Sequence, residues 1–557
     1  NFIFNGMDSG NIITTAYGYF FKADTKITVT ASDANIESGI NAISFYMVSK
    51  DGGKSNVITS QTQNGKAVFN VPAGFKGQVY AYATDNAGNK SDDIRLAGVI
   101  IETQDAHNKD ASITFSKPET SYKDINNLDL YNSNVSVAIN IKDSFSGIAS
   151  ASWEVISSDS NASNVNGSIK INNNGVISGD TNNLAGKVND ENIVTSLTKT
   201  ILVDANSNNI AIKVTFVDNS GYTSTKMLQF SIDKSTPEVT VSYDNNSSDS
   251  VNKEMFNNNR VAVIAVKERN FDASDVIVNI TNTNGTVPSI SGWTKTSGSG
   301  NGDNTIYTAN IEYSVDGDYL FNVSYMDKCK KVATINYGSS VSPNSFTIDK
   351  TKPIVNISFD NNSSSNGNYY QNSRIATISI NERNFSTDRV NLSVTQNGSN
   401  STKTISGWNT SGDVHTANIV FDSEAEYSLN LSYSDMAGNN ADKTISENFV
   451  IDSKEPSLTV EGISDKTAYN KDTVAFTVKS NDTYFNSLET TLYKITSTGE
   501  KKEVLLEEKN VENGKVFTIS NIESDGIYKL YCVAIDKSNK KTEQNLVFSV
   551  NRNGSTY

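Results

Sequence analysis

Carboxylates recur at matched positions along this 557-residue chain. Asp233, Asp349 and Asp452 each occupy the fourth place of a segment Phe-Xaa-Ile-Asp-(Lys/Ser)-Xaa-Xaa-Pro, at 230–237, 346–353 and 449–456. Glu268 and Glu382 open two copies of Glu-Arg-Asn-Phe, and Asp218, Asp327, Asp435 and Asp536 each follow an alternating aromatic run. Carboxylates gathered without counter-charge can bind a hard divalent cation through oxygen. They could also serve glycoside hydrolysis, but that needs two acids across a cleft, and acids that recur once per repeat argue for structure. Other chemistry is poorly supplied. Only His107 and His415 are present, with Cys329 and Cys532 in different repeats, and no HExxH, CxxC, P-loop or GxGxxG stands in a usable context. The chain is therefore expected to have no catalytic site and not to be an enzyme.

These acids must be positioned by strands. The Phe-Xaa-Ile-Asp segment recurs after 116 and then 103 residues, too long for a solenoid unit and suited to a small domain with its own core. An aromatic strand ending in Asp and a turn appears five times, at Asp85, Asp218, Asp327, Asp435 and Asp536; Asp caps its own turn and a following Gly accepts positive φ. Ile, Val, Phe and Tyr alternate with Ser, Thr and Asn in short runs, about seven per repeat, and no stretch shows helical periodicity. This predicts β-sandwiches. The expected domains are 1–107 (irregular), 108–236 (with an insertion at 157–196), 237–352, 353–455 and 456–551, with 552–557 opening a linker to a further module.

The Asp-Xaa-Ala-Gly-Asn turn (85–89 and 435–439), the Ile-Asp-Xaa-Xaa-Xaa-Pro linker, and Ser38-Gly-Ile40 and Ser146-Gly-Ile148 after Asp33 and Asp143 resemble bacterial immunoglobulin-like tandem repeats of Gram-positive, Clostridia-like surface proteins. The resemblance covers essentially the whole chain and implies an all-β fold, a tandem array of immunoglobulin-like β-sandwich domains forming an elongated rod. In such a sandwich the B–C and F–G loops share the end at which the chain enters, so each linker acid should meet two loop acids. The expected groups are Asp233 with Glu268 and Asp327, Asp349 with Glu382 and Asp435, and Asp452 with Asp482 and Asp536. Asp143 and Asp218 join Glu102 or Asp105 at the irregular first junction. Calcium at the junctions is one expectation. In the competing one, Arg269 and Arg383 neutralise the acids beside them and the Asp residues only cap turns. Domains two and five lack that arginine, which favours the junctions before them for calcium.

Pro237, Pro353 and Pro456 restrict the linkers, so the domains should abut. At a radius of gyration of roughly 13 Å for each ~100-residue domain, the array would be roughly 170–200 Å long. Net charge is −15 with no basic run, which disfavours nucleic acid, and no apolar run is long enough to cross a bilayer. The expected function is a non-catalytic stalk or adhesin region of a secreted cell-surface protein, presenting a surface for a glycan or protein ligand of host or environment. The chain opens on Asn1, so a signal and a wall anchor are expected outside it. Alternatives are a spacer in a large secreted carbohydrate-active enzyme, and a glycan- or receptor-binding module in domains one and two. Trp153, Trp293 and Trp408 are expected in cores or at strand edges.

Overall fold

The computed structural model describes residues 2–5, 17–33, 38–246, 254–298 and 302–553; residues 554–557 of the expected linker start lie outside them. Among the described residues ten sheets stack in pairs, making a tandem array of immunoglobulin-like β-sandwiches. The fourth sandwich illustrates the plan. One sheet runs Ile354–Phe359, Arg374–Asn381, Val414–Phe421, Asn409–Ser411, and the other runs Tyr369–Tyr370, Ile445–Ile451, Ala425–Tyr433, Val390–Gln396, Ser399–Asn400. Period-two alternation decides which residues meet between the sheets. Along Ala425–Tyr433 the residues Ala425, Tyr427, Leu429, Leu431 and Tyr433 are buried, and Ile378, Ile380 and Ile419 face them from the other sheet.

Each sandwich has its own apolar cluster. A smaller one, Phe20, Ile100 and Ile193 with Tyr17 and Phe145 against it, spans the first and second sandwiches. In every sandwich a short early strand pairs in parallel with the last strand: Tyr131 with Ile232, Phe256 with Ile348, Tyr370 with Ile451, Tyr469 with Val550, and Phe21 with Ile101. The segment 157–196 is not a loose loop. Its strands Gly167–Ile171 and Ile177–Gly179 widen one sheet, and Leu184–Val188 widens the other.

One element has no periodic signal in the sequence. Gln104–Asp110 is a short α-helix, capped by the Thr103 side chain, and it straddles the boundary expected at residue 107.

Candidate interdomain cation sites

Each junction begins with one backbone hydrogen bond. The residue just past the last strand donates its N–H to the carbonyl at the end of the short parallel strand: Glu102 to Phe21, Asp233 to Tyr131, Asp349 to Phe256 and Asp452 to Tyr370, at 2.8–2.9 Å. This equivalence makes Glu102 the linker acid of the first junction. Asp105, the other expected choice, is exposed on the helix and paired with Lys109 at 2.6 Å.

The next sandwich supplies the remaining acids. Glu268, Glu382 and Asp482 follow Arg260–Lys267, Arg374–Asn381 and Phe476–Asn481, and each is buried. Glu268 and Glu382 each accept, through Oε1, the N–H of the asparagine two residues on at 2.7 Å. Those asparagines, Asn270 and Asn384, donate Nδ2 hydrogens to Asp233 Oδ2 and Asp349 Oδ2 at 2.8 and 2.6 Å. The turn acids divide their two oxygens between two tasks. Oδ1 of Asp218, Asp327, Asp435 and Asp536 accepts the N–H four residues on, at 2.7–2.9 Å. Oδ2 of Asp218, Asp327 and Asp536 is buried without a hydrogen-bond partner. Capping a turn and lining a junction are thus compatible roles for one aspartate.

Asp349, Glu382 and Asp435 present oxygens within 4.8 Å of one another, and Glu102, His107, Asp143 and Asp218 form a second such group. Asp233, Glu268 and Asp327 interact electrostatically at the second junction. There Lys331 also clamps the linker carbonyls of Asp233 and Ser235, at 3.2 and 3.0 Å. At the last junction both oxygens of Asp452 are buried without hydrogen bonds, and Lys540 Nζ bonds to the Ser453 carbonyl.

The arginines do not pair with the acids beside them, as one expectation had it; they make their ion pairs elsewhere, although the charge of Arg383 still acts to lower the pKa of Glu382. Arg269 pairs with Asp303 at 2.6 Å and Arg383 with Asp318 across the third junction at 3.3 Å. Each arginine lies in the turn that follows the strand, and the two take different directions: Arg269 is itself buried beside Asp303, whereas Arg383 is exposed. The absence of that arginine before domains two and five therefore gives no reason to prefer their junctions.

Burial makes these carboxyls reluctant to ionise. Desolvation, then the charge of Asp143, pushes Glu102 up to about 8. Desolvation and Asp233 push Glu268 up to about 8. Desolvation carries Asp218 and Glu382 up to about 7, with Asp143 adding to the first and Asp349 to the second. Desolvation and Asp536 raise Asp452 to about 7. Asp143, Asp327, Asp435 and Asp482 are raised as well, chiefly by burial. These groups either hold protons or answer to a cation.

The tryptophans pack inward. Trp153 is 3% exposed and donates Nε1–H to the Val165 carbonyl, while Trp293 and Trp408 lie against Phe271 and Phe385 at ring separations of 5.0 and 4.8 Å. His415 stacks on Phe385 and bonds the Glu382 carbonyl through Nε2. His107 was not expected in a junction, since nothing in its sequence neighbourhood marks the helix that carries it.

No protein-family model matches the chain, and no curated protein matches it. Among solved structures it is similar to the N-terminal eight Ig domains of Down Syndrome Cell Adhesion Molecule, at 12% identity and TM-score 0.26, covering 98% of this chain and 60% of that one. It is also similar to a tetra-tandem repeat in the extending region of a large adhesion protein, at 14% identity and TM-score 0.36, covering 79% and 100%. Invasin, a bacterial integrin-binding protein, aligns at 13% identity and TM-score 0.29, covering 79% of each chain. The chain thus spans about 60% of the length of the first of these.

Proposed function

We propose that this chain is a non-catalytic stalk or adhesin region of a secreted Gram-positive cell-surface protein, holding a ligand-binding surface for a host or environmental glycan or protein at a set distance. The observation that carries this reading is the repeated junction. Four times, a linker acid is tied by backbone to one sandwich and meets buried acids of the next. Side-chain bonds across the joints reinforce it: Asn208 Nδ2 to Asn270 Oδ1 at 2.7 Å, Gln371 Nε2 to the Ser538 carbonyl at 2.7 Å, and Asn539 Nδ2 to the Ser365 carbonyl at 2.6 Å. Such joints resist bending, which a spacer requires and a freely hinged linker lacks.

Calcium is the cation proposed for the later junctions. Asp233, Glu268 and Asp327, then Asp349, Glu382 and Asp435, then Asp452, Asp482 and Asp536 offer only oxygen, the donor a hard dication takes. Small-angle scattering of the whole chain in calcium and in excess EDTA tests both parts. A maximum dimension of roughly 170–200 Å that shortens or broadens on chelation is the expected result. An extended profile indifferent to EDTA would remove the calcium, and a compact profile in both would remove the stalk.

The ligand-binding alternative has one observation in its favour. The first sandwich carries a groove of about 480 Å³ lined by Val29, Ala31, Ile43, Ala83 and Leu96 among others. A glycan and peptide array probed with the whole chain, and again with Ile94→Lys at an exposed position of the groove, separates that alternative from a plain spacer.

A further inference from the structure

The first junction differs from the others in donor chemistry and in closure. Its four side chains are all buried: Glu102, Asp143 and Asp218 are 0% exposed and His107 is 1%. Each presents an atom to the cluster that has no hydrogen-bond partner: both Glu102 oxygens, Asp143 Oδ2, Asp218 Oδ2 and His107 Nδ1. The opposite atoms are fully used. Asp143 Oδ1 accepts the N–H groups of Ser146 and Gly147 at 3.0 and 2.8 Å, Asp218 Oδ1 accepts that of Tyr222 at 2.8 Å, and His107 Nε2 lies 2.9 Å from Ser224 Oγ. The imidazole is also flanked by the rings of Phe216 and Tyr222. Three of the four groups, Asp143, Asp218 and His107, are thus oriented from behind and left open in front, the arrangement in which outer bonds fix metal-binding groups, while Glu102 offers both of its oxygens.

The spacing has the same sense. His107 Nδ1 is 2.7 Å from Asp218 Oδ2 and 3.8 Å from Asp143 Oδ2, yet neither approach is aligned as a hydrogen bond. The four ligand atoms nevertheless all lie within 4.8 Å of one another. No lysine or arginine of the described residues lies within ion-pair distance of these three carboxylates.

We propose that this site binds a first-row transition dication, with Zn2+ as its probe, through His107 Nδ1, Glu102, Asp143 and Asp218, and that it discriminates against calcium. Calcium takes about six to eight oxygens at ~2.3–2.6 Å and uses water to complete them. This site offers a nitrogen, and its burial leaves little access for water. Four ligands in a closed shell suit tetrahedral zinc, whose bonds to nitrogen and oxygen are about 2.0–2.2 Å. The ion would bind the linker acid, the helix and both loops of the second sandwich together. This chain would then carry two kinds of joint, one set by zinc and the later ones by calcium. The proposal rests on the reading that junction acids hold cations, but it stands apart from calcium at the later junctions.

The test is metal content of the full chain after chelation and dialysis against Zn2+, Ca2+ or both, for the unaltered protein, His107→Ala, His107→Gln, Ser224→Ala and Asp105→Asn, the last an exposed acid of the same helix. The expected result is one zinc per chain that excess calcium does not displace. It should be lost in both His107 variants, weakened roughly 10- to 100-fold in Ser224→Ala, and unchanged in Asp105→Asn. Cobalt-loaded unaltered chain should show visible bands of a nitrogen-ligated ion, which keeps the test open if a His107 variant does not fold. Failure to bind zinc, displacement by calcium, or undiminished zinc in a folded His107 variant overturns the proposal. If calcium is taken up and zinc is not, only this proposal falls; if neither is bound, the cation reading of all the junctions falls with it.

Discussion

Arg260 and Arg374 occupy matched positions at the start of a strand, 0% and 4% exposed, and each guanidinium lies over three aromatic rings. For Arg260 the rings are Tyr243, Phe256 and Phe346 at 3.7–4.6 Å; for Arg374 they are Phe359, Tyr370 and Phe449 at 3.8–4.6 Å. Carbonyls take up the N–H groups, Asn245 and Ser342 for Arg260 and Asn361 for Arg374. A lysine cannot reproduce a planar fork sandwiched by rings, so Arg374→Lys should cost on the order of 2 kcal/mol in urea unfolding. Neither arginine was legible as special, because stacking depends on residues as distant in sequence as Phe346 from Arg260 and Phe449 from Arg374. The acids were legible through their repetition, but the fate of Arg269 and Arg383 was not, since it turns on which way one side chain faces. The raised carboxyls also set a pH response. Folded values of about 7–8 for Glu102, Glu268, Glu382 and Asp452 lie above ordinary unfolded values of about 4. Between those limits the folded state binds protons that the unfolded state has released, so stability falls as pH rises through that window. In EDTA the chain should melt at a higher temperature at pH 5 than at pH 8. Calorimetry showing the reverse order would mean that these carboxyls are charged and paired without a cation.

At the scale of elements, alternation and turn chemistry carried most of the fold, since both are local. Ala425–Tyr433 reads directly from its sequence as a half-buried strand. The helix Gln104–Asp110 could not, because seven residues hold too little periodicity and its place depends on the linker it caps. Of the Ser-Gly-Ile motif, the glycine is explained by geometry. Gly147 has φ +79°, and a Cβ there would stand 2.0 Å from Ile193 Cγ2 and 3.0 Å from the Val194 carbonyl oxygen. Gly147→Ala should therefore destabilise the second sandwich by about 2–3 kcal/mol. Gly438→Ala, at φ +90° with only Asn257 Nδ2 nearby at 3.6 Å, should cost about 1 kcal/mol. Denaturant midpoints of the two variants compare them directly, and equal losses would mean that backbone strain alone governs both. Deleting core volume at Leu429, which is 0% exposed, should cost about 2–5 kcal/mol for Leu429→Ala, confined to the fourth sandwich.

At the scale of the whole molecule, five separate apolar clusters imply units that unfold one at a time rather than together. Stretching one chain should release contour in steps of roughly 30–40 nm, from ~100 residues at about 3.3–3.6 Å each; a single cooperative rupture would contradict independence of the cores. The parallel pairing of the short early strand with the last strand decides how each step begins. The chain enters near one end of that pair and leaves from the opposite end, so tension along the molecule slides the two strands past each other instead of peeling them apart. The bonds of the Tyr370–Ile451 pair and its counterparts are then loaded in shear and must fail together. A protein held at both ends in moving fluid would yield late and abruptly, and each sandwich that gave way would spare the others.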